Sequence, residues 1–199
     1  MRILVFALVA VVSWALPGFA QDASGDRIRQ AAARAIALVQ SSQANFASKI
    51  ACASCHHQFQ PALAFRAARE HGIAVNEEMA RAVAVKAFSY ADLDRAIQYT
   101  HVIEPAMDDA YRLVAADAAG VPRNLSTAVY ARLIASRQNP AGDWTSFHQR
   151  PPSSYSSFTM TALGLRAIQL FSHPSQKDDA GARIARAKQW LTSHAPRDT

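Results

Sequence analysis

The sequence predicts an all-α fold, a short array of antiparallel helix pairs, on three observations. Alanine is abundant while the 199 residues include only 7 glycines. β-Branched runs are few, and such a composition favours helices. Apolar residues recur at helical spacing along most of the chain, and no stretch reads convincingly as a strand.

The elements follow in order. Arg2, the apolar stretch Ile3 to Leu16 and the small-residue site Gly18-Phe19-Ala20 after Pro17 have the form of a secretory signal peptide, residues 1–20, cleaved after Ala20. The stretch is short for a membrane span of about 20 residues, and an uncleaved N-terminal anchor is the alternative. The mature chain, 21–199, is then expected outside the cytoplasm, in the periplasm, with no membrane span of its own. Its size, about 180 residues, suits one domain with a single core.

A helix is expected over 26–40, with Ala31, Ala35, Leu38 and Val39 available for its apolar face. A second, 61–71, has Pro61 in its first turn and Gly72 just past its end. A third, 76–88, opens on Asn76 as N-cap with Glu77 and Glu78 behind it. Further helices are expected over 91–99; over 105–119, closed by Gly120 and Pro122; over 126–138, with Ser126 as cap; and over 157–171 and 179–193. The connection from Gln138 to Ser157 is long and rich in Pro, Gly and Ser. Loops of that length in compact domains often carry function.

Charge narrows the function classes. There are 21 Lys and Arg against 15 Asp and Glu, but the excess is spread along helix faces (Arg27, Arg29, Arg34; Arg183, Arg186, Lys188) and forms no basic block. A solvated face, or docking to an acidic partner, accounts for it, and nucleic acid is not expected. The only two cysteines, Cys52 and Cys55, are too few and too close for a disulfide framework.

Those cysteines belong to Cys52-Ala53-Ser54-Cys55-His56, within a loop expected at 50–60. Cys-x-x-Cys-His is the attachment signature of c-type haem. Two thiols at this spacing add to the two vinyl groups of one porphyrin, and the next residue offers an imidazole to the iron. One covalent haem c is therefore expected, with Cys52 and Cys55 as tethers and His56 as proximal ligand. Export agrees, since bacterial haem attachment takes place outside the cytoplasmic membrane. A Cys52–Cys55 redox pair lacks the βαβ context of thioredoxin chemistry. Zinc needs ligands that surround it, and Cys52, Cys55, His56 and His57 are too contiguous to do so unaided. For the distal iron position the candidates are His101 and Met107, with His148 behind them; five-coordinate or water-bound iron is the alternative. His71, at a helix end, and Met79, on an apolar face, have ordinary structural readings.

The chain also contains an internal repeat. Ala33-Arg34-Ala35-Ile36-Ala37-Leu38-Val39-Gln40 matches Ala131-Arg132-Leu133-Ile134-Ala135-Ser136-Arg137-Gln138, and Ala44 and Phe46 then fall on Gly142 and Trp144. Helix pairs repeated in this way stack, because one pair cannot bury its own apolar faces. In addition, Gln138-Asn139-Pro140-Ala141-Gly142-Asp143-Trp144 resembles the Gln-x-x-x-Gly-x-Trp (QW) motif of squalene cyclases and protein prenyltransferases, and the QW-type unit would span 126–193. The whole of 26–195 resembles exported bacterial proteins that join such repeats to a Cys-x-x-Cys-His segment. The resemblance implies a partial α/α toroid and a haem, and no particular reaction. A complete toroid has about six helix pairs, whereas three or four are supplied here. The cyclase Asp-x-Asp-Asp motif is absent, with only the pairs Asp108-Asp109 and Asp178-Asp179 present, and the prenyltransferase zinc set has no clear counterpart. Trp144, Phe147, Tyr155 and Phe158 form an aromatic concentration, read as packing of the QW turn in preference to a ligand wall.

The expected function is thus a periplasmic c-type haem protein engaged in one-electron transfer, more an electron carrier than an enzyme, with an unidentified redox partner. The alternatives are a non-redox binding module of toroid type, or a terpenoid cyclase-like protein without the usual catalytic aspartates.

Overall fold

The computed structural model describes residues 18–50, 54–88, 109–145 and 156–195, and among these the chain is all-α. The described helices are α1 (Gly18–Lys49), α2 (Gln60–Glu70), α3 (Glu77–Phe88), α4 (Ala110–Ala118), α5 (Leu125–Ser136), α6 (Ser157–Phe171) and α7 (Lys177–Ser193). A π-helical turn, Cys55–Phe59, leads into α2, and a 3₁₀ turn, Pro174–Gln176, into α7. The helix expected over 91–99 lies outside the described residues, as do the first residues of the one expected over 105–119. No described helix is long and apolar enough to cross a membrane.

The ends are set by local chemistry. Gly72 and Gly120 take positive φ, 69° and 78°. Each closes its helix with a paired bond: Ile73 N–H donates to the Ala68 carbonyl at 2.8 Å, and Val121 N–H to that of Ala116 at 2.9 Å. Asn76 caps α3, its Oδ1 accepting from Met79 N–H at 3.0 Å. At α5 the cap is Asn124, not Ser126. Asn124 Oδ1 accepts from Thr127 N–H, and Thr127 Oγ1 accepts from Asn124 N–H, a reciprocal pair that leaves Ser126 inside the first turn.

Packing is arranged around one row of helices. α2 contacts α4, and α4 contacts α6; α1 lies on α2 and α3, α3 on α4, α5 on both α4 and α6, and α7 on α6. α4 sits in the middle, and all its residues except Arg112 and Asp117 are buried. Alanines 110, 115, 131 and 167 are wholly buried; small side chains at such positions let helices approach closely, and added methylenes there would overpack the core by about 1–3 kcal/mol. The larger core residues are Phe59, Leu113, Ile134, Trp144, Met160 and Ile168. Truncating one of them to Ala costs about 2–5 kcal/mol. Polar ties join the layers: Arg66 pairs with Asp117 at 2.9 Å between α2 and α4, and the Lys86 ammonium of α3 donates to the Ala47 carbonyl of α1.

α1 differs from expectation in length and in face. It runs on to Lys49, because Ser41 to Lys49 contains neither proline nor glycine to stop it. Its protected stripe is Ala32, Ile36, Val39, Gln40, Gln43 and Phe46; Ala31, Ala35 and Leu38 face solvent, Leu38 at 72 % exposure. α1 carries alanine on every side, so hydrophobicity alone does not choose a face. The choice falls to the glutamines. Gln40 Nε2 donates to the Asn76 carbonyl and its Oε1 accepts from Asn76 N–H, both at 3.0 Å, which ties α1 to the start of α3.

Candidate functional site

Ser54 organises the segment that carries the Cys-x-x-Cys-His signature. Its carbonyl accepts from Gln58 N–H at 3.0 Å and from Phe59 N–H at 3.3 Å, the wide spacing that makes this turn π-helical. Its own N–H donates to Gln58 Oε1 at 2.8 Å. π-Turns of this kind occur often at functional sites. The turn continues directly into α2, and Pro61 stands in the first turn of that helix, where its missing N–H costs little. The segment from Cys55 to Phe59 is thus helical, with no loop between it and α2.

The two adjacent histidines separate into different roles. His57 is half-buried. Its ring stacks on Phe46 of α1, centroids 4.4 Å apart and planes 5° apart, and its Nδ1 lies 3.4 Å from Ser54 Oγ. His56 is exposed and has no bonded partner among the described residues. An imidazole needs one free ring nitrogen to bind a metal: among the described residues His56 has both, and His57, stacked on Phe46, has its Nε2. Cys55 immediately precedes His56 in the same turn. Cys52 lies outside the described residues, as do both distal candidates, His101 and Met107, and His148. Among the described residues no three His, Cys, Asp or Glu side chains gather as a metal site.

Phe59, the last residue of the turn, anchors it in the core. It is buried against Phe88 and Tyr111, ring centroids 6.2 and 6.0 Å away, and the Arg112 guanidinium lies 5.9 Å over its ring. Arg112 also faces the buried Asp109 carboxylate at 3.9 Å. Of the aspartate pairs singled out in the sequence, Asp108 is outside the described residues, while Asp178 and Asp179 open α7, exposed, with Asp179 paired to Arg183 at 2.9 Å. That is the ordinary position of acidic residues at a helix N-terminus.

The QW-type segment is a staple between helices. Trp144 is buried; its Nε1–H donates to the Ile134 carbonyl at 2.8 Å and its backbone N–H to Thr161 Oγ1 at 3.1 Å. Gln138 Nε2 donates to the carbonyls of Gly142 and Arg183, both at 2.9 Å, and its Oε1 accepts from Arg186 at 3.1 Å. Arg183 in turn donates to the Ala135 carbonyl at 2.6 Å. Arg183 and Arg186 therefore tie α7 to the end of α5 and are not merely solvated charges. Gln40 and Gln138, matched in the repeat, do comparable work, each bonding the backbone of a helix further along the chain. Phe46 and Trp144 also both pack toward the segment that follows. The local backbone nonetheless differs, since Gly142 turns the chain at φ 107° where Ala44 continues a helix. Phe158 packs on Trp190 at 5.0 Å; Phe147 and Tyr155 are outside the described residues. The aromatic residues that are described pack between helices.

The sequence reading missed Phe46 as the support of His57, Ser54 as the centre of the turn, and the buried pair Gln43 and Gln58. Gln43 stands three residues after Gln40, so the two share a helix face, and that spacing was the available signal. Comparison with family models, with curated proteins and with solved structures finds no match to this chain.

Proposed function

We propose that this protein is an exported c-type haem protein, held on a helical-repeat scaffold related to the α/α toroids, and that it carries single electrons in the periplasm. One observation supports the reading: in the Cys-x-x-Cys-His segment, the His that the motif assigns to iron is exposed with neither ring nitrogen bonded among the described residues, while its neighbour is half-buried, stacked on Phe46 with Nδ1 near Ser54 Oγ. Cys52 and Cys55 would tether the porphyrin and His56 would bind its iron. A bound haem supplies a metal centre that exchanges one electron between its ferric and ferrous states.

The chain's own residues would hold that centre steady. The Ser54–Gln58 bonds fix the turn, Phe59 roots it in the core, and the Phe46–His57 stack pins it against α1. A steady site lowers the structural change that accompanies electron transfer. The test is expression with signal peptide and haem-attachment machinery, followed by a haem stain on a denaturing gel and intact mass. A stained band, and a mass above that of the processed polypeptide by one haem, is the expected result. A colourless band at the bare polypeptide mass overturns the reading.

A further inference from the structure

Behind the Ser54 turn lies a cavity of about 60 Å³ between α1, α2 and α3, enough for about four waters or one small molecule. Its lining is mixed: Phe65, Val83, Ala84, Ala87 and Phe88 form the apolar part, and Arg69, Glu77 and Arg81 stand at its exposed rim. Two amides line it as well. Gln43 is only 4 % exposed and Gln58 only 2 %. Among the described residues the Gln43 amide has no hydrogen-bond partner, and Gln58, its Oε1 engaged by Ser54 N–H, has none for its Nε2. The cavity opens to solvent and neither amide is cut off from it, so water meets both when no ligand is present, and an occupant must replace the bonds that water makes.

The chemistry of an occupant follows from what is free. The two Nε2 groups offer donors, while Gln43 Oε1 is the one wholly uncommitted acceptor, so the occupant must mainly accept. An anion is poorly served. Arg69 is already held by Glu77 through two bonds, 2.8 and 2.9 Å, and Arg81 stands at the exposed rim on the same helix as Glu77. Moving a carboxylate from water to the neutral amides inside the cavity costs more than moving a carbonyl. We propose that this cavity binds a small neutral molecule bearing a carbonyl or amide group, its oxygen seated on the side-chain amides of Gln43 and Gln58 and its short apolar part against Phe65, Val83 and Phe88. Occupancy is transmitted to the signature segment, because the Gln58 side chain that meets the ligand also holds Ser54 N–H. The cavity is built of protein groups alone, so the proposal does not depend on the haem reading.

The test is a titration of ¹⁵N-labelled, signal-processed protein with propionamide, followed through the side-chain NH₂ signals of Gln43 and Gln58 and the Ser54 N–H signal. Saturable shifts of all three are expected, with propionate at least tenfold weaker. Gln43→Leu should weaken propionamide at least tenfold and leave the unfolding midpoint unchanged or higher, since it removes an unpartnered amide. Ala84→Leu, which narrows the cavity and leaves both amides in place, should also abolish saturation and keeps the test decisive if Gln43→Leu does not fold. Shifts that stay linear, equal affinity for propionate, or full binding by either variant overturn the proposal. So does the finding that only long-lived water contacts these amides.

Discussion

Trp144 occupies the space that a side chain on Gly164 would need: a Cβ built there would lie 2.8 Å from Cδ2 of the indole. The glycine sits within α6, where alanine would be the better helix former by about 1 kcal/mol. Close packing outweighs propensity at this point, and the glycine lets the tryptophan of the QW-type segment lie against α6.

Gly164→Ala should therefore destabilise the protein by about 1–3 kcal/mol, as overpacked cores do. Gly181→Ala, in α7 with open space around it, should instead stabilise by about 0.5–1 kcal/mol. Urea denaturation of the two variants checks this. If both shift the midpoint in the same direction, the indole is not the reason for the glycine.

Gly142 is constrained twice. It has φ 107°, and a Cβ there would meet the Arg186 carbonyl oxygen at 2.6 Å. Backbone atoms of α7 cannot step aside as a flexible side chain can. Gly142→Ala should cost about 2–4 kcal/mol and loosen α7, seen as faster amide exchange along Lys177–Ser193 than along α4.

Substitution at the two histidines should separate ligation from support. If His56 binds a tethered haem as proposed, His56→Ala should alter the absorption spectrum of the loaded protein, with little change in the stability of the helical array. His57→Ala should keep the axial ligation and lose the Phe46 stack, worth about 0.5–1.5 kcal/mol. Optical spectra of both redox states and thermal melts provide the two readouts. A His57→Ala spectrum that matches that of His56→Ala would contradict the assignment.

Arg69 beside Glu77 holds that carboxyl below its usual range, chiefly through the side-chain hydrogen bonds. A carboxyl whose folded pKa is depressed contributes stability that is complete above its unfolded value and is lost as pH falls through the folded one. The contribution should be whole above about pH 5 and fade below about pH 4. Both groups are well exposed, so the loss should be below about 1 kcal/mol and smaller in high salt. Comparing Glu77→Gln with the parent at pH 7 and pH 3 checks it: the difference should be present at the higher pH and vanish at the lower.

The helices and most of their ends were legible because their determinants are local. Asn76, Gly72 and Gly120 act on backbone groups within a few residues of themselves, so a reader of the chain can place them. Where two local devices competed, at Ser126 and Asn124, a reciprocal bond with Thr127 decided, and that requires knowing which hydroxyl meets which N–H. The outward face of α1 was misjudged for a different reason: its alanines are equivalent around the helix, and burial of Gln40 and Gln43 is a decision taken by α3 and α2. The Cys-x-x-Cys-His segment was legible as a motif but not as geometry. Nothing in Cys55-His56-His57 says which imidazole will be covered; Phe46, eleven positions before His57, makes that choice.

By itself, then, the order of residues determined an all-helical chain with its punctuation, and placed Cys52, Cys55 and His56 in a Cys-x-x-Cys-His pattern, because propensity, capping and motif spacing operate over one or two turns. Only the tertiary structure decided that α4 lies at the centre, that Arg183 and Arg186 bind helices together, and that Gln43 and Gln58 meet in one cavity. Those outcomes depend on groups distant in sequence competing for the same space and the same hydrogen bonds, and that competition is settled when the helices pack.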